Sequence, residues 1–387
     1  MIIKTNSGLS PDVVITISGV EVDYAAINKI TLSLDENKHD ICTISIAGLA
    51  PKSITDYIDA PVRVFISTGP GREQEFCGYV VYVEPGSNSQ AGLVNNSPFQ
   101  VSNVVCLGTS VSMKGSKNKV WESTSLPIIA QTLAYNYGYS LDVYKDTFEF
   151  PRLVQSSESD WAFLLKVCEL YGMRVTVHGT HMHIWDPFKA LGRLSSFNKL
   201  YTSRSTLDNV PGSILKFTGT FGYLSPEGMS TNFKTASLDR YGTIVEVTSA
   251  SQKDHSWSGN GHSSKFMNEI NTTTQTVEEA SRKMKEYNRK YFAFNASVQI
   301  VGGSGVVPGG VVEVRDYNSN FDGYWYVHSV QHTIGGSQYL TDLKIARDYN
   351  TVDEYVIPTV STFNSPPDPV LINNSWRTSR SMVTLYV

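Results

Sequence analysis

Alternation of apolar and polar residues with a period of two governs the first 110 residues. In ITLSLD, Ile30, Leu32 and Leu34 alternate with Thr31 and Ser33. In ICTISIA, Cys42, Ile44 and Ile46 alternate with Ile41, Thr43, Ser45 and Ala47. Successive side chains of an extended chain point to opposite faces, so this pattern predicts strands with one face in a core. VVITI (13–17), VRVFIS (62–67), EFCGYVVYVEP (75–85) and FQVSNVVCLG (99–108) complete a set of six strand-like runs. The segment DENKHD (35–40) reads as a hairpin loop between two of them, and TGPGRE as the turn between another two. Six strands with short turns predict an antiparallel barrel or sandwich over 1–110, a shape that leaves few free sheet edges.

The grammar changes to helix at 111–195. In SLPIIAQTLAYNYG, Ser125 stands at an N-cap position, Pro127 lies in the first turn and Gly138 at the stop. In SESDWAFLLKVCELYG, Ser157 opens an S-x-x-D start. Trp161, Leu164, Leu165 and Cys168 follow at helical spacing, and Gly172 marks the end. MRVTVHGTHMHIWDP (173–187) predicts a hairpin turning at Gly179-Thr180. Two helices and a hairpin make a small α/β module.

Strand patterns return over 196–348, from SILKFTGTF to YLTDLKIARD. One polar helix is expected at 276–292, where Thr276 and Glu279 form a capping box. Residues 349–387 read as an arm with one late strand-like segment, SMVTLYV. The expected fold class is mainly β with an α+β insertion: two β-barrel, tube-like domains flanking the module.

Charged residues make up 18% of the chain against 41% hydrophobic, which favours burial of surface in an assembly. The net charge of −4 gives no basic excess for nucleic-acid recognition. Residues 1–110 carry 6 Lys and Arg against 11 Asp and Glu, so the acidity is concentrated there. Cys42, Cys77, Cys106 and Cys168 have no metal-site or disulfide-framework spacing and read as small buried hydrophobes. No apolar run is long enough for a membrane-spanning segment.

Candidate chemical sites fail on spacing. His178, His181 and His183 form H-x2-H-x-H, with His181 and His183 on one strand face, but no Cys, Asp or Glu stands at a spacing that completes a zinc set. His328 and His332 belong to a strand. The runs GPG (69–71) and GGSG (302–305) lack the strand–loop–helix setting and lysine of a phosphate loop, and no nucleophile elbow occurs. The reading is therefore no metal, no cofactor and no catalytic residue. A cell-wall hydrolase and a carbohydrate-binding protein are the rival functions.

Two segments carry a family resemblance. SESDWAFLLKVCELYGMRVTVHGTHMHIWDP (157–187) is similar to the E-S-D-W-x-F-L helix, glycine and hairpin of phage late control protein D, valine-glycine repeat protein G and contractile-tail baseplate hubs, through Ser159, Asp160, Trp161, Phe163, Leu164 and Gly172. VVPGGVVEVRDYNSNFDGYWYVHSVQHTIGGSQYLTDLKIARD (306–348) resembles the closing barrel of that family through Pro308, Gly309, Val312 and Val314, then Phe321, Gly323, Tyr324, Tyr326 and Val327, then His332, Tyr339, Thr341 and Leu343. The resemblance implies a structural role for these residues. It also implies a homotrimer whose two barrels per subunit form a pseudo-sixfold ring, with a tail-tube protein above, a spike protein below and other baseplate proteins at the periphery. DNA or an effector would pass through the lumen without specific binding. The place of action would be the virion tail baseplate or tip, assembled in the host cytoplasm.

Overall fold

The computed structural model describes residues 11–47, 55–69, 73–85, 93–94, 97–98, 101–144, 150–171, 173–187, 198–202, 212–221, 232–238, 244–250, 266–270, 294–303, 305–315, 317, 321–335, 338–347 and 383–386. The expected helix at 276–292, Gly172 and most of the arm lie outside them. The first unit contains β1 (Asp12–Ile17), β2 (Val20–Glu21), β3 (Ile27–Asp35), β4 (Ile41–Ala47), β5 (Pro61–Ser67), β6 (Glu73–Pro85), β7 (Leu93–Val94), β8 (Ser97–Pro98) and β9 (Val101–Gly108). The module follows with β10 (Ser116–Thr124), α1 (Leu126–Tyr137), β11 (Ser140–Tyr144), β12 (Phe150–Ser159), α2 (Asp160–Tyr171), β13 (Arg174–His178) and β14 (His181–Trp185). Next come β15 (Asn198–Thr202), β16 (Ser213–Phe221), β17 (Asn232–Leu238), β18 (Ile244–Ala250) and β19 (Phe266–Ile270). The chain continues through β20 (Phe294–Val301), β21 (Val311–Arg315), β22 (Gly323–Gly335), β23 (Gln338–Arg347) and β24 (Val383–Tyr386).

The period-two pattern sets the faces as expected. Ile30, Leu32 and Leu34 of β3 and Cys42, Ile44 and Ile46 of β4 are buried, and the residues between them are at least partly exposed. Antiparallel register puts Ile30 opposite Ile44 and Leu32 opposite Cys42. Each such side chain removed from water stabilises the fold by about 1.5–3 kcal/mol.

Thirteen strands form one sheet in the order β2-β1-β5-β6-β9-β4-β3-β22-β21-β15-β16-β20-β23, and β22 also pairs with β23. That last pairing closes β22, β21, β15, β16, β20 and β23 into a ring. The first unit joins this ring through β3, whose free edge pairs with β22, Leu34 opposite Val330 and Leu32 opposite His332. The two β units consequently share a single apolar core, which runs from Ile15 and Val64 to Val298 and Leu343. The fold is mainly β with a large curled sheet.

The module has its own core, built from α1, α2 and the inner faces of β11, β13 and β14. Helix α1 starts after Ser125 in extended conformation, with Pro127 in its first turn. It ends at Gly138 in the left-handed region, φ +71°. The start of α2 corrects the sequence expectation. Ser159 is the cap, its Oγ accepting from the Ala162 N–H at 3.1 Å, while Ser157 lies two residues upstream in β12. Strand β14 pairs antiparallel with β13 and parallel with β11, and the far edge of β11 pairs with β24. The late strand expected within SMVTLYV thus adds to the module sheet.

Candidate functional site

The β3–β4 hairpin, which the sequence offers only as a loop, is the place where the first unit, the module and the closed barrel meet. Its polar tip reaches partners on both of the other parts. The Glu36 backbone N–H donates to the His328 carbonyl at 3.3 Å, extending the β3–β22 ladder by one step. Its carboxylate receives the Tyr326 hydroxyl at 2.5 Å and pairs with His328 Nδ1 at 2.8 Å, both on the barrel. It also faces Arg174 of the module, whose Nε lies 3.4 Å away. Burial pushes the Glu36 carboxyl up, but His328, Arg174 and Tyr326 together hold it below its ordinary value. His328 reaches Glu36 because it is the extra residue of a bulge in β22, between Val327 and Ser329, and bulges re-aim side chains.

Asn37 makes a second join. It adopts φ +59°, a conformation Asn tolerates, and exchanges two hydrogen bonds with β13. Its N–H donates to the Val175 carbonyl at 2.9 Å, and its side-chain oxygen accepts from the Val175 N–H at 3.0 Å. His39 stacks on Trp161 of α2, centroids 4.8 Å apart, and its Nδ1 lies 2.7 Å from Ser110 Oγ. Burial, with Lys114 nearby, pulls His39 down to about 4, so it is neutral at pH 7. Asp40 is buried and 2.7 Å from His178 Nδ1 of β13. Burial raises the Asp40 carboxyl; burial also works against a charged His178, but Asp40 beside it raises the imidazole above its ordinary value. Thr109 Oγ1 donates to the Gly179 carbonyl at the tip of the β13–β14 hairpin.

The family-motif residues divide into those that reach this junction and those that serve their own unit. Trp161 reaches it through His39. Gly309 reaches it indirectly: an added Cβ there would run into the Trp185 ring, and Trp185 Nε1 donates to the Tyr326 hydroxyl at 3.1 Å, which in turn donates to Glu36. Pro308 is buried beside Gly309, whose N–H donates to the Val327 carbonyl at 2.9 Å. Asp160 works inside the module, where it accepts from Lys117 Nζ and the Tyr137 hydroxyl at 2.5 Å each and from Gln155 Nε2 at 2.8 Å. Phe163 stacks on Trp121, centroids 5.8 Å apart, and Leu164 is fully buried.

In the barrel, His332 is fully buried and its Nδ1 lies 3.1 Å from Thr341 Oγ1 and 3.0 Å from the Tyr339 hydroxyl. Burial brings His332 down to about 3, so this cluster is neutral. Phe321 packs edge-on against Phe217 and accepts the Trp325 indole N–H at its carbonyl, 2.8 Å. Gly323 has φ +125° beside Arg347, and Tyr324 pairs with Glu313 across the β21–β22 ladder.

Glu36, Asn37, Asp40, Arg174 and Trp185 carry the junction together with Tyr326 of the closing-barrel motif, and the first five belong to no motif that the sequence shows. The available signal was the density of charge in DENKHD, which a plain hairpin turn does not require.

A further polar cluster lies on the module sheet. Parallel register sets Asp142 opposite His183 and Ser140 opposite His181. The Asp142 carboxylate is 3.0 Å from His181 Nε2 and 3.8 Å from His183 Nδ1. The carboxylate that sequence spacing did not offer to the histidines comes from β11. As for thiols, Cys42, Cys77, Cys106 and Cys168 are all free and buried, as expected. Burial pushes Cys42 far up and Cys77 and Cys106 to about 12, which suppresses thiolate chemistry. Among the described residues no helix is long and apolar enough to cross a membrane.

A model of the phage tail baseplate hub (GPD) family matches residues 42–338. Among curated proteins no sequence matches. Solved structures that share the fold include three tail or secretion proteins. A 43 kDa tail protein of prophage MuSo2 from Shewanella oneidensis is 13% identical, with 87% of this chain and 98% of that chain covered and a TM-score of 0.64. A tail protein from Neisseria meningitidis is 11% identical over 88% and 97%, with a TM-score of 0.65. An E. coli component of the type VI secretion system is 10% identical over 87% and 77%, with a TM-score of 0.55.

Proposed function

Because the chain belongs to the phage tail baseplate hub family, we propose that it is the structural hub subunit of a phage tail or related injection machine, three copies forming a pseudo-sixfold ring. The observation that carries this reading is the polar hairpin at 35–40. It ties the first β unit, the module and the closed barrel into one body through Glu36, Asn37, His39 and Asp40. A part that transmits load between a tube and a spike must not hinge between its own domains, and a shared core with a polar clamp meets that need. On this reading 1–110 and 196–348 are the two tube-like domains of each subunit, 111–195 the connecting module and 349–387 an arm. Three subunits then present six β units to a sixfold tube and three equivalent faces to a threefold spike, a task of symmetry rather than catalysis. Other baseplate proteins contact the periphery, and the acidity of residues 1–110 suits a lumen along which DNA or an effector slides without sticking.

Light scattering on the purified chain, with and without a co-expressed spike protein, tests the assembly. Three chains per particle and a ring with pseudo-sixfold outline in electron micrographs are expected. A monomer under both conditions would overturn it, and a strongly basic lumen in an assembled ring would overturn the channel reading.

A further inference from the structure

We propose that Asp142, His181 and His183 form a binding site for one first-row divalent cation of the zinc class, clamping β11 to β14. One nitrogen of each imidazole and a carboxylate oxygen lie within 4.8 Å of one another. Two of the separations, 3.0 and 3.8 Å, bracket the edge of about 3.3 Å that a tetrahedron with ligands near 2.05 Å requires. Small rotations of the three side chains are enough to admit an ion.

The surroundings fix the donors. Ser140 Oγ lies 2.8 Å from His181 Nδ1, which leaves Nε2 directed at Asp142. A second group holding the far ring nitrogen is the usual means of orienting a metal-binding imidazole. His183 stacks on Trp185, centroids 4.9 Å apart and 24° between planes, and Trp185 is itself held by Tyr326. All three donors are half-buried, open enough for an ion to enter and for water or a group from a neighbouring chain to fill a fourth position. Two imidazoles and one carboxylate suit zinc, cobalt, nickel or copper, whereas magnesium and calcium favour oxygen alone. Through Trp185 the ion would brace the strand that feeds the three-way junction.

The test uses the untagged full chain, stripped with chelator and titrated calorimetrically with zinc chloride, magnesium chloride serving as the control. One zinc per chain is expected, with a rise in thermal midpoint, no magnesium binding, and a visible absorption band on cobalt substitution. His183→Gln and Asp142→Asn should each weaken zinc at least tenfold with unchanged far-ultraviolet dichroism. Ser140→Ala, outside the ligand set, should weaken it about tenfold. Absence of saturable zinc binding up to millimolar concentration would overturn the proposal. So would one-to-one binding that persists at full strength in His183→Gln and Ser140→Ala, whichever way Asp142→Asn folds.

Discussion

Replacing Gly309 by alanine isolates one contact on which the junction depends. Gly309 has φ +81°, and an added Cβ would lie 2.5 Å from two ring carbons of Trp185. Two costs add. An alanine in the left-handed region loses about 1–2 kcal/mol. Forcing a methyl group into a packed ring adds about 1–3 kcal/mol, because Trp185 is only 2% exposed and is tied to Tyr326. The expected loss is about 2–5 kcal/mol. Gly138 supplies the control: its φ is +71° and nothing lies within 4 Å of an added Cβ, so Gly138→Ala should lose only the conformational part, about 1–2 kcal/mol. Urea unfolding followed by tryptophan fluorescence gives both numbers. In a Trp185→Leu background the extra cost of Gly309→Ala should vanish, a coupling of about 1–3 kcal/mol. Equal losses for the two glycine variants, or a cost at Gly309 that Trp185→Leu leaves unchanged, would refute the reasoning.

Glu36→Ala strips the acceptor from Tyr326, His328 and Arg174 and should cost about 2–4 kcal/mol in the same unfolding assay, Glu36→Gln less. The folded Glu36 carboxyl lies below its ordinary 4.5, so the stability it contributes is complete above pH 4.5 and is lost as pH falls toward the folded value. Glu36→Gln should flatten that part of an acid titration. His332, at about 3 when folded against 6.5 when unfolded, contributes stability that is present above pH 6.5. That stability is lost at about 1.4 kcal/mol per pH unit as pH falls toward 3, a slope that His332→Gln should reduce. Asp160→Asn removes the charge that Lys117, Tyr137 and Gln155 address and should cost about 1–2 kcal/mol, read as a lower thermal midpoint.

What sequence alone determined here is what depends on near neighbours. The faces of β3 and β4 follow from a period of two, because a strand places alternate side chains on opposite sides whatever it pairs with. The stop of α1 at Gly138 follows from the ease with which glycine takes a left-handed φ. The helix-and-hairpin segment and the closing strands were legible because their motifs are short and contiguous. Tertiary structure decided the rest. Alternation says that Leu34 faces a core, but not that the free edge of β3 pairs with β22, which unites two β units into one sheet. Glu36 meets His328 across 292 positions, Asn37 meets Val175 across 138, and Asp142 meets His181 across 39. Polar pairs of this kind leave no periodic trace. Their partners are chosen by which sheet edges and loop tips the apolar cores bring together, and only the folded chain shows that DENKHD is the clamp of the molecule.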